Sequence, residues 1–220
     1  MNKHKHFNIQ QTHWNDTFRE TEDLFGNAPS APARIAADLF KMEGFSRILE
    51  LGAGQGRDTV FFARQGFDLT ALDYSAAGLR TIEEKARRQG PLSSISLRRH
   101  DLRRALPFAD GAFDACYSHM LFCMAFTTAE LAFIAGEVRR VLKPGGLHVY
   151  TVRHTGDAHY GRGIHHGEDL YETNGFVVHF FNREKVAALA NGFEILGIDE
   201  FEEGPLPRQL FRVTLKRKGG

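Results

Sequence analysis

A chain of 220 residues is long enough for one large domain, or one domain with a modest appendage. Hydrophobic residues make up 42% and charged residues 25%, the mixture of an ordinary globular protein and not of a fibrous, disordered or membrane one. With 28 Lys+Arg against 27 Asp+Glu the net charge is +1, which supplies no global field for nucleic acid or an anionic membrane.

The opening stretch, Met1 to Phe7, is rich in Lys and His and has no apolar run after it, so it does not read as a secretory signal. His13, Trp14, Phe18 and Phe25 are more aromatic than a disordered tail requires and read as a cover over a bound ligand. Ala31 to Met42 is a predicted helix. Ile48 to Leu51 is a short apolar run ending in Gly52, and Arg57 to Gln65 follows with helical spacing. The rhythm repeats with a strand over Phe67 to Leu72, a helix over Ser75 to Gln89 and a strand over Ile95 to His100. A strand over Phe113 to Tyr117 and an amphipathic helix over Thr128 to Leu142 come next. Lys143-Pro144-Gly145-Gly146 cannot continue that helix, and Leu147 to Val152 reads as a buried strand. Strands alternating with helices in this way predict right-handed βαβ units and a parallel sheet. Arg153 to Gly175 is polar, rich in Gly and His, and lacks periodicity. A helix over Asn182 to Ala190 and two strands, Phe193 to Phe201 and Leu210 to Lys216, close the chain. The two cysteines, Cys116 and Cys123, sit in apolar surroundings with a spacing that fits neither a disulfide framework nor a CxxC metal site. No metal is expected, and a reduced, cytoplasmic protein is the default.

The most informative stretch is Glu50-Leu51-Gly52-Ala53-Gly54-Gln55-Gly56, which ends the first strand and opens a helix. Glycines there permit a tight turn and close approach of a ligand, and the helix start offers unpaired N–H groups. Arg57 stands where the dinucleotide fingerprint places its third glycine, which counts against NAD or FAD. Asp73 ends the second strand, 21 residues after Gly52, where a carboxylate can accept hydrogen bonds from ribose hydroxyls. Asp101 follows the third strand and can accept the amino group of an adenine. Glu50, Asp73 and Asp101 thus lie at the carboxyl ends of three successive predicted strands, the edge where open α/β sheets bind ligands.

These residues resemble motif I and the acidic motifs of the class I S-adenosylmethionine-dependent methyltransferases. The likeness continues through Ala71 to Ser75, Leu106 to Asp114 and Glu137 to Gly146, in the order and spacing of that superfamily, over residues 48–152. It implies a Rossmann-like, doubly wound, seven-stranded, mostly parallel sheet with the last strand antiparallel. It also implies S-adenosylmethionine as cofactor, with Gly52, Ala53, Gly54 and Gly56 of the glycine stretch around its methionine part and Glu50 among the cofactor-binding residues. Asp73 would then hold the ribose and Asp101 lie by the adenine, with Tyr74 and Leu102 in the same cofactor-binding set. Ser118 and His119 end the fourth strand, where family members place cofactor and acceptor contacts, so Ser118 joins the cofactor set; His119 is the candidate catalytic residue, or else a hydrogen-bonded histidine capping the next helix. The segment after the glycines, "GRDTVFFARQGF", is similar to small-molecule branches such as the tellurite-resistance and thiopurine methyltransferases.

The expected organisation is a single methyltransferase domain over 1–220. Its parts are an N-terminal cover and helix (1–45), a cofactor-binding core (46–152), a candidate substrate lid (153–181) and a closing helix and strands (182–220). The lid region holds five of the 11 histidines, His154, His159, His165, His166 and His179, with Tyr160, Arg162, Glu168, Asp169 and Tyr171. A plain polar loop, a lid and a metal site all remain open for it. On the lid reading, His154, Tyr160, His165 and His166 are the candidate substrate-binding residues. Met120 to Phe126 is either an apolar acceptor pocket or buried core. The partner expected is a small molecule, with neither nucleic acid nor membrane, and the oligomeric state is open. A non-catalytic S-adenosylmethionine or nucleotide sensor is the alternative, because a fold does not fix a function. An NAD-dependent oxidoreductase is a further rival.

Overall fold

A computed structural model describes residues 3–90, 92–204 and 208–219, with side chains from residue 9 onward. The reading of Met1 to Phe7 therefore concerns side chains outside the described residues. The elements are α1 (Lys3–Glu20), α2 (Ala31–Met42), β1 (Arg47–Leu51), α3 (Arg57–Arg64), β2 (Asp68–Asp73), α4 (Ala76–Gln89) and β3 (Ile95–Arg99). They continue with β4 (Phe113–His119), α5 (Thr128–Val141), β5 (Leu142–Arg153), β6 (Ile164–Gly167), β7 (Leu170–Thr173) and β8 (Phe176–His179). The last are α6 (Arg183–Leu189), β9 (Phe193–Glu203) and β10 (Arg208–Arg217).

Seven strands form one sheet in the order β3-β2-β1-β4-β5-β10-β9. The first five pair in parallel, and β10 runs antiparallel to both β5 and β9. The strand order reverses between β1 and β4, which opens a crevice beyond their carboxyl ends. Short polar residues start the helices that frame it. Ser75 Oγ accepts the Gly78 N–H at the start of α4, Ser30 does the same for α2, and Thr127 with Glu130 forms a capping box on α5. The sheet is buried on both faces: α2 and α3 pack on one through Phe40, Phe62 and Phe67, while α5 and α6 pack on the other through Leu131, Ile134, Val138 and Val186.

Two segments differ from the sequence reading. The stretch before residue 21 is a helix, α1, although its polar composition carries no clear apolar stripe. It is held by tertiary contacts: Asn15 Oδ1 accepts from Ser75 Oγ and the Ala77 N–H, at 3.0 and 3.2 Å. The segment after β5 is no irregular loop but a second, three-stranded antiparallel sheet, β6-β7-β8. Its strands are only four residues long and bury few side chains, mainly Leu170 and Val177, so no alternating pattern is visible in the sequence. Turn residues at positive φ, Glu168, Asp169 and Asn174 with Gly167 and Gly175, fold it back on itself.

Candidate active site

A cavity of about 960 Å³ lies over the switch point, at the upper end of the roughly 300–1,000 Å³ common for ligand sites. Its floor is the turn from β1 to α3. Gly56 there has φ +81°, and a Cβ on it would lie 2.6 Å from Ile82 Cγ1, so only glycine fits. Gly78, in the first turn of α4, packs so close that a Cβ would meet the Gly54 carbonyl oxygen at 2.4 Å. The loop is thereby pressed flat beneath the cavity.

Three acids surround that floor. Asp73, at the end of β2, accepts the Gly54 N–H at 2.8 Å and the Ser75 N–H at 2.7 Å. Each oxygen keeps one lone pair for a ligand. Burial, only partly offset by those N–H groups, pushes the Asp73 carboxyl up to about 6. Glu50 is deeper; burial, with the charge of Asp58 nearby, pushes its carboxyl well above the ordinary range. Its Oε2 is buried with no hydrogen-bond partner among the described residues, so a ligand N–H would satisfy it. Asp101 is engaged by Arg103 at 2.7 Å and by Gln11 of α1 at 3.1 Å. Burial opposes its ionisation, but the Arg103 guanidinium outweighs this and holds the carboxyl below its usual range. A recess of about 50 Å³ beside Asp101 and Leu102 joins the main cavity past Tyr74, Gly52 and Leu121. The Tyr74 hydroxyl is shifted upward by burial and by the charge of Asp73.

The roof comes from two elements. Trp14 and Phe18 of α1 line the cavity, and Trp14 packs on Phe176 of β8 with ring centroids 4.8 Å apart. Gln10 clasps the small sheet by donating to the Gly175 carbonyl oxygen at 2.7 Å and accepting from the Val177 N–H at 3.2 Å. Gln55 ties the segment after α1 to the glycine loop, through the Leu24 N–H and the Thr21 carbonyl oxygen. Trp14, Phe18 and Phe25 all line the cavity. His13 faces β8 edge-on to Phe176.

The far wall carries the polar chemistry. His119, at the end of β4, lies between Thr151 Oγ1, 2.9 Å from Nδ1, and Glu203 Oε2, 3.0 Å from Nε2. A carboxylate only accepts, so Nε2 carries the proton and Nδ1 accepts from Thr151. Glu203 also receives Arg57 at 2.9 Å. Burial would raise the Glu203 carboxyl, but His119 and then Arg57 hold it down to about 2. His119 lies on the cavity wall with Nδ1 against Thr151 Oγ1 and Nε2 facing the Glu203 carboxylate.

Four residues singled out as substrate contacts lie off the cavity wall. His154 is stacked on Phe211 at 4.4 Å and accepts the Gly156 N–H, which makes it a turn-holding residue. Tyr160 donates to Asp169, His165 stacks on Tyr171, and His166 lies 2.8 Å from Glu172. Only His165 and His166 belong to the small sheet, on its outer strand β6, where His165 shares the face of its partner Tyr171 but lies beyond the cavity; the sheet presents Tyr171, Thr173, Phe176 and Val178 to the cavity. Ser118 is likewise fully buried in the sheet, away from the cavity. Within Met120 to Phe126 both readings hold in part: Met120, Leu121 and Met124 line the cavity, whereas Phe122 and Cys123 are core. The wall also includes Arg153, His159, Glu203 and Arg208, which sequence reasoning did not assign to a site. No group of His, Cys, Asp and Glu among the described residues is placed to hold a metal ion.

Residues 48–146 match the family model described as "Methyltransferase domain". This segment is a methyltransferase domain. The domain carries β1 to β4, the glycine loop and all three acids. Over 197 residues the chain is 26% identical to a 24-methylenesterol C-methyltransferase of Oryza sativa, covering 86% of this chain and 53% of that one. Over 113 residues it is 32% identical to a demethylmenaquinone methyltransferase of Tropheryma whipplei, covering 51% of this chain and 44% of the other. The chain thus spans about half the length of these curated relatives. Among solved structures, the Burkholderia thailandensis 1,6-didemethyltoxoflavin-N1-methyltransferase with bound 1,6-didemethyltoxoflavin and S-adenosylhomocysteine superposes with a TM-score of 0.76. It covers 100% of this chain and 92% of its own at 16% identity, so the likeness is one of fold.

Proposed function

We propose that the protein is an S-adenosylmethionine-dependent methyltransferase acting on a small-molecule acceptor by direct displacement. The observation that supports this best is the joining of the glycine loop, Asp73 and Asp101 around one roofed cavity at the switch point of a methyltransferase domain. When bound, S-adenosylmethionine supplies an electrophilic methyl group on a positively charged sulfur, a good leaving group.

This chain's residues then have positioning work. The flat Gly52–Gly56 turn admits the methionine part, and the partnerless Glu50 Oε2 suits its ammonium group. Asp73 has one lone pair on each oxygen for the ribose hydroxyls. Asp101, with Leu102 and Tyr74, frames the adenine recess, where Gln11 occupies the carboxylate that the adenine amino group would use. Trp14, Phe18 and β8 exclude water from above, and Met120, Leu121 and Met124 supply an apolar wall for the acceptor. Alignment of nucleophile and methyl group provides much of the rate in such a displacement. His119 orients Glu203 and takes no proton.

Calorimetric titration with S-adenosylmethionine, S-adenosylhomocysteine and NAD tests the cofactor; the first two should bind and NAD should not. Arg57 stands against NAD, because its side chain is committed to Glu203 and the Phe25 carbonyl oxygen. Binding of NAD alone refutes the reading. Transfer of labelled methyl to small-molecule acceptors tests catalysis, and tight binding with no transfer to any of them favours the sensor. No helix among the described residues is long and apolar enough to cross a membrane.

A further inference from the structure

We propose that the acceptor is a small organic acid that enters already deprotonated and is anchored by Arg208 beside His159. The inference rests on the methyltransferase reading and specifies its substrate class. Two independent features of the cavity support it.

The first is charge. Three arginines line the cavity, and two of them are partnered: Arg57 by Glu203, and Arg153 by Asp157 through both its Nε and Nη2 groups. The Arg208 guanidinium has no hydrogen bond or ion pair among the described residues. Asp157 also accepts the backbone N–H of His159 at 2.8 Å and of Gln209 at 3.0 Å, which places His159 and the start of β10 on either side of one carboxylate. Arg153 donates to His159 Nδ1 at 2.9 Å, so the remaining nitrogen, Nε2, carries its proton. This part of the wall therefore offers a full positive charge and an N–H donor, a pairing that suits a carboxylate or another organic anion.

The second feature is the state of the possible bases. Asp58 is saturated by the Ser30 N–H, the Ser30 hydroxyl and the Tyr117 hydroxyl. Glu203 is held between Arg57 and His119 and is a weak base. Glu50 is pushed well above the ordinary carboxylate range by burial and, on the reading above, faces the cofactor's ammonium group and not the acceptor. Neither His119 nor His159 presents a free lone pair, and His13 Nε2 is buried against the Gly175 turn. Asp73, whose free lone pairs are assigned above to the ribose hydroxyls, stands on the cofactor side of the cavity, and an acceptor that had to lose a proton during transfer would find none of the others ready to take it. An acid that arrives as its anion needs none: its lone pair forms the new bond to carbon, the carbon–sulfur pair returns to sulfur, and no proton moves. Met120, Met124, Phe176, Val178 and Phe180 leave the rest of this molecule an apolar surround.

The test loads the protein with S-adenosylhomocysteine and compares matched acids and amides by ligand-observed NMR: benzoate with benzamide, nicotinate with nicotinamide, decanoate with decanamide. At least one acid should bind better than its amide, and Arg208→Gln should weaken that acid by about 30-fold while S-adenosylhomocysteine affinity stays unchanged. Acids that bind no better than amides, or not at all, overturn the proposal and leave the methyltransferase reading standing. Loss of S-adenosylhomocysteine affinity in Arg208→Gln overturns it too, by assigning the guanidinium to the cofactor's carboxylate. Failure of the wild-type protein to bind S-adenosylhomocysteine refutes the underlying reading instead. The acid–amide comparison on wild-type protein stands whether or not the variant folds.

Discussion

Replacing Asp73 by Asn separates cofactor binding from folding. In the native chain this carboxyl is buried and pushed from 3.8 to about 6. At about 1.36 kcal/mol per unit, that shift opposes folding by roughly 3 kcal/mol once the group is charged. The sign follows from the direction: a carboxyl raised in the folded state stabilises the fold when protonated, and this contribution is lost as pH rises through about 6. Asn removes the charge but keeps one oxygen for either the Gly54 or the Ser75 N–H. The other N–H then faces an amide NH₂, at a cost of about 1–3 kcal/mol. The two effects nearly cancel, so urea unfolding at neutral pH should shift little. Cofactor binding should fall by roughly 1.5–3 kcal/mol, because the ribose loses a charged acceptor. Wild-type affinity should also drop about tenfold per pH unit below about 6 as Asp73 takes up its proton, while the Asn variant follows a flat profile there. Calorimetry with S-adenosylhomocysteine across that range is the assay. A flat wild-type profile, or an unchanged dissociation constant in the variant, would remove Asp73 from the ribose role.

Gly56→Ala should destabilise the fold by about 1–3 kcal/mol in urea unfolding, since a Cβ would stand 2.6 Å from Ile82 Cγ1 at positive φ. His159→Ala and Tyr171→Phe should lower turnover more than cofactor affinity, whereas the double replacement of His165 and His166 by alanine, off the cavity wall, should leave both nearly unchanged; steady-state kinetics beside calorimetry decides. Glu203→Gln should cost about 1–2 kcal/mol of stability at neutral pH, below the full value of the carboxyl's shift because the pair is partly solvated. A depressed carboxyl stabilises above its unfolded value and loses that contribution as pH falls through about 2, so the gap to wild type should narrow in acid; a gap that persists unchanged would contradict the ion-pair account.

The parts of the molecule legible in the sequence are those built by local rules. Glu50 to Gly56 declares a turn because only glycine tolerates the backbone angles and contacts found at Gly56. Asp73 and Asp101 are visible because strand ends project residues toward the crevice at fixed spacing. The α1 helix was hidden because its stability comes from Asn15, Gln10 and Gln11 bonding to residues far along the chain. The lid histidines misled for a related reason. Residue type marks His154, Tyr160, His165 and His166 as reactive, but His154 and Tyr160 are taken up by the turn after β5, and His165 and His166 lie on β6, the outer strand of a sheet whose pairing no local pattern announces. Glu203 ends β9 and Arg208 begins β10, and nothing local signals that pairing of β10 with β5 and β9 brings Glu203 to His119 and the backbone next to Arg208 to Asp157.

That division has a consequence for how the two halves of the cavity tolerate change. The cofactor half is shaped by backbone: glycine torsions, N–H groups on Asp73, and helix caps that set the height of the loop. Its geometry depends little on the side chains opposite. The other half, where we place the acceptor, is shaped by side chains from three segments that meet only in the folded state: β4, the segment after β5 and the β9–β10 pair. Asp157 is the fixed point among them, since it holds Arg153, His159 and the backbone of Gln209 at once. Substituting Arg208, Tyr171 or Phe176 alters what the wall offers without breaking these bonds, whereas losing Asp157 would strand a buried guanidinium and release both loops. On the proposed reading, acceptor preference should therefore be easier to retune at Arg208, Tyr171 or Phe176 than at Asp157, whose loss leaves the buried Arg153 guanidinium without its carboxylate.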